Sequence, residues 1–170
     1  MNYKELIQQR YSCRHFTEKT VTPEQLTRII QAGRVAPTAM NLQPYRIFVM
    51  DSPKAKEAVR ASTHCTYGAD TFLLIGAETK AAWTREFDHR NFADVDATIV
   101  ATHILLAVTA EGLASTWVGH FDAPLLKERY PEMNDYDLIA IFPIGHPAED
   151  GGPSERHTLR KEQDAVVTVL

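Results

Sequence analysis

A chain of 170 residues, 44% hydrophobic and 24% charged, has the composition of one soluble globular domain. Its net charge of −4 argues against nucleic acid as the main partner, because such domains carry a basic excess. The polar start MNYKELIQQ does not read as a signal peptide, no apolar run approaches the ~20 residues of a membrane span, and two cysteines, Cys13 and Cys65, make no disulfide framework, so a reducing cytoplasm is the expected compartment.

Asn2 with Glu5 forms a capping-box pattern, which predicts a helix to about Gln9 with Leu6 and Ile7 inward. The stretch Arg10-Tyr11-Ser12-Cys13-Arg14-His15-Phe16 follows. In an extended segment residues 10, 12 and 14 point the same way, because side chains alternate. Two guanidinium forks and a hydroxyl on one face suit a phosphate, each charge-assisted bond being worth roughly 1.5–3 kcal/mol. The same seven residues also read as a solvated turn. Thr22, Pro23 and Gln25 open a second helix whose buried stripe is Leu26, Ile29, Ile30 and Gly33 and which stops before Pro37.

Residues 37–44, PTAMNLQP, form a polar loop between two prolines, and Tyr45 to Met50 is a strand. Ser52-Pro53 opens a helix to about Ala61, and the apolar run Thr71 to Ala77 is a buried strand. Residues 79–93 read as a partly helical cover in which Trp83, Phe87 and Phe92 are either core residues or a stacking surface for an aromatic substrate. Asp94 or Asp96 opens the longest helix, which ends before Gly112 and is apolar nearly all round. Such a helix is buried on all sides, at the centre of the fold and against a second subunit. Ala114 to Val118 and Leu138 to Ile144 are strands, and Asp122 caps a short helix to Tyr130. Residues 146–170 begin with Gly, Pro and charge and finish in VVTVL, a strand-like end that needs an edge to pair with, on a partner chain. The whole is an α+β layout around one sheet.

The chain has no P-loop, no GxGxxG after a strand, no GxSxG elbow and no HExxH. Its histidines, at 15, 64, 89, 103, 120, 146 and 157, are scattered without zinc-ligand spacing, so no metal site is expected, and His103 reads as a hydrogen-bonded core residue. His64-Cys65 reads as a small, partly buried cysteine rather than a catalytic pair. What remains is a set of anion- and amide-recognition pieces: Arg10/Ser12/Arg14, the loop Pro37 to Pro44, the turn Val118-Gly119-His120-Phe121-Asp122, and Arg160-Lys161. Asn and Gln offer donors and acceptors together, and a glycine lets a backbone N–H approach a flat ring.

Together and in this order these pieces resemble the nitroreductase family of FMN-dependent oxidoreductases, as one of its short members, over nearly the whole chain. The matching motifs are Arg10-x-Ser12-x-Arg14, Ala36 to Pro44, Glu111 to Asp122, Pro143-Ile144-Gly145-His146-Pro147 and Arg160-Lys161. The resemblance implies a three-layer α/β/α fold with a central mixed, mostly antiparallel sheet. It implies one domain over residues 1–170, with 146–170 an arm reaching the partner of an intertwined homodimer. It implies FMN sites at the interface, with NADH or NADPH as reductant and nitroaromatics, quinones or similar acceptors reduced by a ping-pong mechanism. Specialised flavin chemistry on the same scaffold, such as dehalogenation or azoline oxidation, is the alternative, as is a non-catalytic FMN-storage protein. By resemblance, Arg10, Ser12 and Arg160 hold the phosphate and ribityl chain, Arg14 faces the ring edge and tunes it, and the Gly119 N–H approaches the hydride-accepting nitrogen. Thr38, Asn41 and Gln43 serve the partner's side of the pocket, and Tyr11, Pro37, Ala39, His120 and Lys161 complete the cofactor-binding set. No side chain acts as acid or nucleophile. The family's Pro-Leu-Glu after the basic residue is Glu162-Gln163-Asp164 here, which leaves the phosphate to Arg160 or Arg156.

Overall fold

The computed structural model describes residues 2–170. Five α-helices are present among them: α1 (Tyr3–Gln9), α2 (Pro23–Arg34), α3 (Pro53–Ser62), α4 (Ala93–Ala110) and α5 (Ala123–Arg129). Four strands, β1 (Tyr45–Val49), β2 (Thr71–Ala77), β3 (Ala114–Ser115) and β4 (Asp137–Gly145), pair antiparallel in the order β1-β2-β4-β3. The expected capping boxes form at Asn2/Glu5 and Thr22/Gln25, and Ser52 and Asp122 cap α3 and α5 through their side chains. Each cap satisfies helix-terminal N–H groups that otherwise lack a partner.

Strand alternation builds two cores, one on each face of the sheet. Leu73 and Ile75 of β2 and Ala140, Phe142 and Ile144 of β4 pack with Ile29 of α2 and with Ala97, Val100, Ala101 and Ile104 of α4. Phe72, Leu74 and Ile141 pack the other way, with Ala55, Ala58 and Val59 of α3 and Leu126 of α5. The result is the expected three-layer α+β arrangement. Each fully buried Phe, Leu or Ile contributes about 1.5–3 kcal/mol. Gly33 is where α2 crosses α4, since a Cβ there would stand 2.9 Å from Ile104 Cγ1.

Several elements differ from expectation. Ile7 is 44% exposed and α1 buries no residue, because nothing in the chain packs against its outer side. α4 starts one residue before Asp94 and has no side-chain cap. Its 18 residues have the length and mean hydropathy, 1.4, of a membrane span, yet it lies on the sheet. Burial on all sides is expected only together with a second subunit, and in the single chain Ile99, Leu105, Leu106 and Ala107 stay half-buried. β3 stops at Ser115, and Val118 makes a separate bridge to Ile141. Residues 79–92 hold no helix. Arg85 pairs with Asp88, the Arg85 and Arg90 guanidinium groups lie 5.6 Å from the Phe92 ring, and Trp83 packs on Phe92 at 5.0 Å. Trp83 and Phe92 are half-buried, but Phe87 is 87% exposed and belongs to no core. The VVTVL end forms no strand with the rest of this chain.

Candidate functional site

Segment 10–16 joins the sheet beyond β3. Ser12 bridges Ser115 in parallel, the Cys13 amide donates to the Ser115 carbonyl at 3.0 Å, and Phe16 bridges Pro147. Cys13 points into the core and is buried. Alternation about it turns Arg10, Ser12 and Arg14 to the opposite side, where all three line one cavity; the buried Phe16 departs from that alternation, where the segment leaves Ser115 for its bridge to Pro147. The far wall is the end of the chain: Ser154, Arg156, His157 and Arg160, around a 3-10 turn at Glu155–Thr158. The cavity measures about 320 Å³.

The walls are held together by main-chain bonds. The Thr17 amide donates to the His146 carbonyl at 2.9 Å and the Ala148 amide to the His15 carbonyl at 3.1 Å. His15 Nδ1 lies 2.6 Å from Asp150 Oδ1. Gly151 fits against this strap so closely that a Cβ there would stand 2.5 Å from the His15 carbonyl oxygen. The chain thereby carries its last arginines back to its first.

Arg10, Arg14, Arg156 and Arg160 meet no carboxylate within ion-pair distance among the described residues, whereas Arg28, Arg60 and Arg85 each do. Arg160 is braced from behind: its Nη1 donates to the carbonyls of His157 and Leu159, both at 2.7 Å. Arg14 Nη1 donates to the Ser12 carbonyl at 3.3 Å. Guanidinium groups brought together without a counter-charge form a site for an anion, and their forks match the oxygens of a phosphate. Tyr11 flanks the site, its ring edge-on to His157 at 6.4 Å. Burial, and after it the neighbouring Cys13, raise the Tyr11 hydroxyl above its ordinary pKa, so it stays a neutral donor. Burial likewise raises the Cys13 thiol. The Cys65 thiol and burial push the Tyr67 hydroxyl above its ordinary pKa, with the Arg14 charge acting the other way.

The remaining predicted residues lie elsewhere in the single chain. Lys161 does not line the cavity, nor do Gly119 and His120. Gly119 follows the Val118–Ile141 bridge on an open surface, where a Cβ would meet nothing within 4 Å, so no atom of its own chain requires glycine there. The His120 ring stands 5.4 Å from that of His64, and its carbonyl accepts from Thr63 Oγ1 at 2.6 Å. The loop Pro37-Thr38-Ala39-Met40-Asn41-Leu42-Gln43-Pro44 does not line the first cavity either, and Gln43 lines another cavity, of about 300 Å³, with Arg34 and Arg46. Three residues of that loop, Met40, Asn41 and Gln43, have φ of 52–54°, a left-handed conformation that Asn tolerates but that is uncommon for Met and Gln. Both candidates for the terminal phosphate ligand, Arg156 and Arg160, reach the cavity. Sequence reasoning missed Ser154 and His157, whose only signal was their place between a glycine-proline turn and a basic pair. Among the described residues no group of three or more His, Cys, Asp or Glu side chains is placed to hold a metal.

A profile of the nitroreductase family matches residues 7–67 and 60–146. A nitroreductase family protein of Clostridium difficile has a crystal structure similar to this one, at TM-score 0.91 and 31% identity, covering 99% of this chain and 98% of that one. A Desulfovibrio desulfuricans protein solved in complex with FMN is similar at TM-score 0.80 and 27% identity, over 100% of this chain and 98% of its own. Among curated proteins, a Thermus thermophilus NADH dehydrogenase is 25% identical over 89% of this chain and 90% of its own length.

Proposed function

This chain belongs to the nitroreductase family, and we propose that it is an FMN-dependent NAD(P)H oxidoreductase that reduces nitroaromatics, quinones or similar acceptors by a ping-pong route. The observation that carries this reading is the cavity where Arg10, Ser12, Arg14, Arg156 and Arg160 converge without a carboxylate. A phosphate monoester, with about −1.5 to −2 charge near neutral pH, fits it. The chemistry FMN supplies when bound is two-electron transfer between NAD(P)H and the acceptor. Arg10, Ser12, Arg156 and Arg160 hold the phosphate end. Arg14, which lines the same cavity, is assigned to the ring, where a fixed positive charge favours the reduced cofactor. The Gly119 N–H, on a surface clear of side chains, is assigned to the ring as well.

The reading includes a cytoplasmic homodimer. Apolar surface left open on α4, a shallow apolar cavity of about 430 Å³ among α1, α2 and α4, and the exposed Val166, Val167, Val169 and Leu170 support it. Residues 146–170 act as the arm, its end pairing with the partner, for which the free outer edge of β1 is available. The loop residues Pro37, Thr38, Ala39, Asn41 and Gln43, which do not line the cavity of their own chain, then serve the cavity of the other. The two cysteines are unlinked, which suits a reducing compartment.

The test is a visible spectrum of the purified protein, before and after addition of FMN and then of NADH or NADPH. Flavin bands that bleach with a nicotinamide support the reading. Bands that persist point to storage or to another reductant, and the absence of bound flavin overturns it.

A further inference from the structure

Asp96 lies in the first turns of α4 and is 2% exposed. Its Oδ1 accepts a 3.0 Å hydrogen bond from the Ala39 amide. Its Oδ2 is buried with no partner. A buried carboxylate oxygen left unpaired is costly, and such groups call for an explanation. The other end of the bond supplies one. Ala39 opens the loop in which Met40, Asn41 and Gln43 all hold left-handed φ. Within that loop the Asn41 amide donates to the Thr38 carbonyl at 2.9 Å and the Gln43 amide to Thr38 Oγ1 at 3.0 Å. These bonds tie the loop to itself. Among the described residues Asp96 is the one side chain outside the loop that its amides donate to. Strained backbone persists only where surrounding structure over-determines it. Met40 is 76% exposed, so its own side chain does not anchor the loop.

We propose that Asp96 is a positioning residue: by holding the Ala39 amide from the core, it fixes loop 37–44 in the strained shape that presents Thr38, Asn41 and Gln43 outward to the flavin of the second subunit. The proposal rests on the functional reading above for the identity of the ligand, and on this chain alone for the clamp. The aspartate sits on the helix whose open apolar face is assigned to the dimer contact, so the clamp and the subunit contact share one rigid element.

The experiment compares wild type, Asp96→Ala, Asp96→Asn and Ala39→Pro as full-length proteins. Two quantities are read: hydrogen exchange at the Asn41 and Gln43 amides, and FMN affinity by quenching of flavin fluorescence. Asn keeps an acceptor for Ala39, so Asp96→Asn should hold both values near wild type. Asp96→Ala should speed exchange and weaken FMN binding, each about tenfold, the scale of one lost hydrogen bond to a charged group. Ala39→Pro deletes the donor without emptying the core, and the extended Thr38 (φ −132°, ψ 157°) tolerates a following proline. It should reproduce the alanine result even where Asp96→Ala fails to fold. Wild-type exchange in Ala39→Pro overturns the clamp. Faster exchange with unchanged FMN affinity overturns its link to the cofactor. Should wild type bind no FMN at all, the functional reading fails, while exchange in the variants still decides the clamp.

Discussion

The Cys13 amide and the Ser115 carbonyl lie 3.0 Å apart, and this bond, with the Ser12–Ser115 bridge, ties segment 10–16 to the edge of the sheet at β3. Ser115 is itself fixed, its buried Oγ donating to the Pro143 carbonyl at 2.7 Å. The phase of the arginines is thereby set by the core: with Cys13 inward, Ser12 and Arg14 face the cavity.

Arg156→Ala and Arg160→Ala should each weaken FMN binding by roughly 10-fold to 100-fold, consistent with about 1.5–3 kcal/mol for a hydrogen bond to a charged group. Arg160 should be the larger loss, because two backbone carbonyls already hold it in place. Riboflavin, which lacks the phosphate, should bind the two variants and wild type alike. Isothermal titration with both flavins checks this.

Gly151→Ala should be destabilising by about 1–3 kcal/mol, the usual range for overpacking. The obstacle is a backbone oxygen, His15 O at 2.5 Å from the added Cβ, which has no rotamer to escape into. The displaced strap carries Arg156 and Arg160, so FMN affinity should fall together with the urea midpoint. Gly152→Ala, where a Cβ meets nothing within 4 Å, is the control and should change neither.

The two thiols should differ in reactivity. Cys13 is 0% exposed, its Sγ donates to the His15 carbonyl at 3.1 Å, and burial raises its pKa, so little nucleophilic thiolate forms. A chromogenic disulfide reagent at pH 7.5 should therefore find no fast reaction at Cys13, which becomes accessible only on unfolding. Labelling of Cys65→Ser protein isolates that site, and rapid loss of its thiol would count against the packing described.

Stability should decline on mild acidification through His146. Burial first, then Lys19, hold its imidazole below the ordinary 6.5, with a backbone contact from Thr20 acting weakly the other way. Well above pH 6.5 the imidazole is neutral folded or unfolded and contributes no slope. Below that, the unfolded chain binds a proton that the folded chain resists, so stability falls with pH until the folded imidazole titrates too. Urea melts from pH 7.5 to 5 should show this slope in wild type and less of it in His146→Gln.

Removing residues 166–170 should shift the protein from dimer to monomer in sedimentation velocity and expose the apolar face of α4 to a hydrophobic dye. The removed side chains make little contact within their own chain, Val169 being 93% exposed and Leu170 fully so. A truncated protein that stays dimeric would remove the arm from the contact.

The local structure was written in local sequence. Caps at Asn2, Thr22, Ser52 and Asp122 and the apolar run Thr71–Ala77 depend on neighbours within a few residues, and they form where such patterns predict. Alternation through Arg10, Ser12 and Arg14 likewise needed only the period of an extended chain. Other features depend on atoms far away along the chain. Whether Arg156 or Arg160 reaches Arg10 was open until the strap at His15, His146 and Ala148 closed a loop of more than a hundred residues, and then both did. Phe87 looked like core material by composition, yet its turn is built from the Arg85–Asp88 pair and leaves it outside. Asp96 was legible as a possible helix start, but not as the partner of the Ala39 amide 57 positions earlier. Burial, convergence of charge and the satisfaction of a distant N–H are properties of tertiary packing, because they depend on which surfaces meet after the helices and strands have formed.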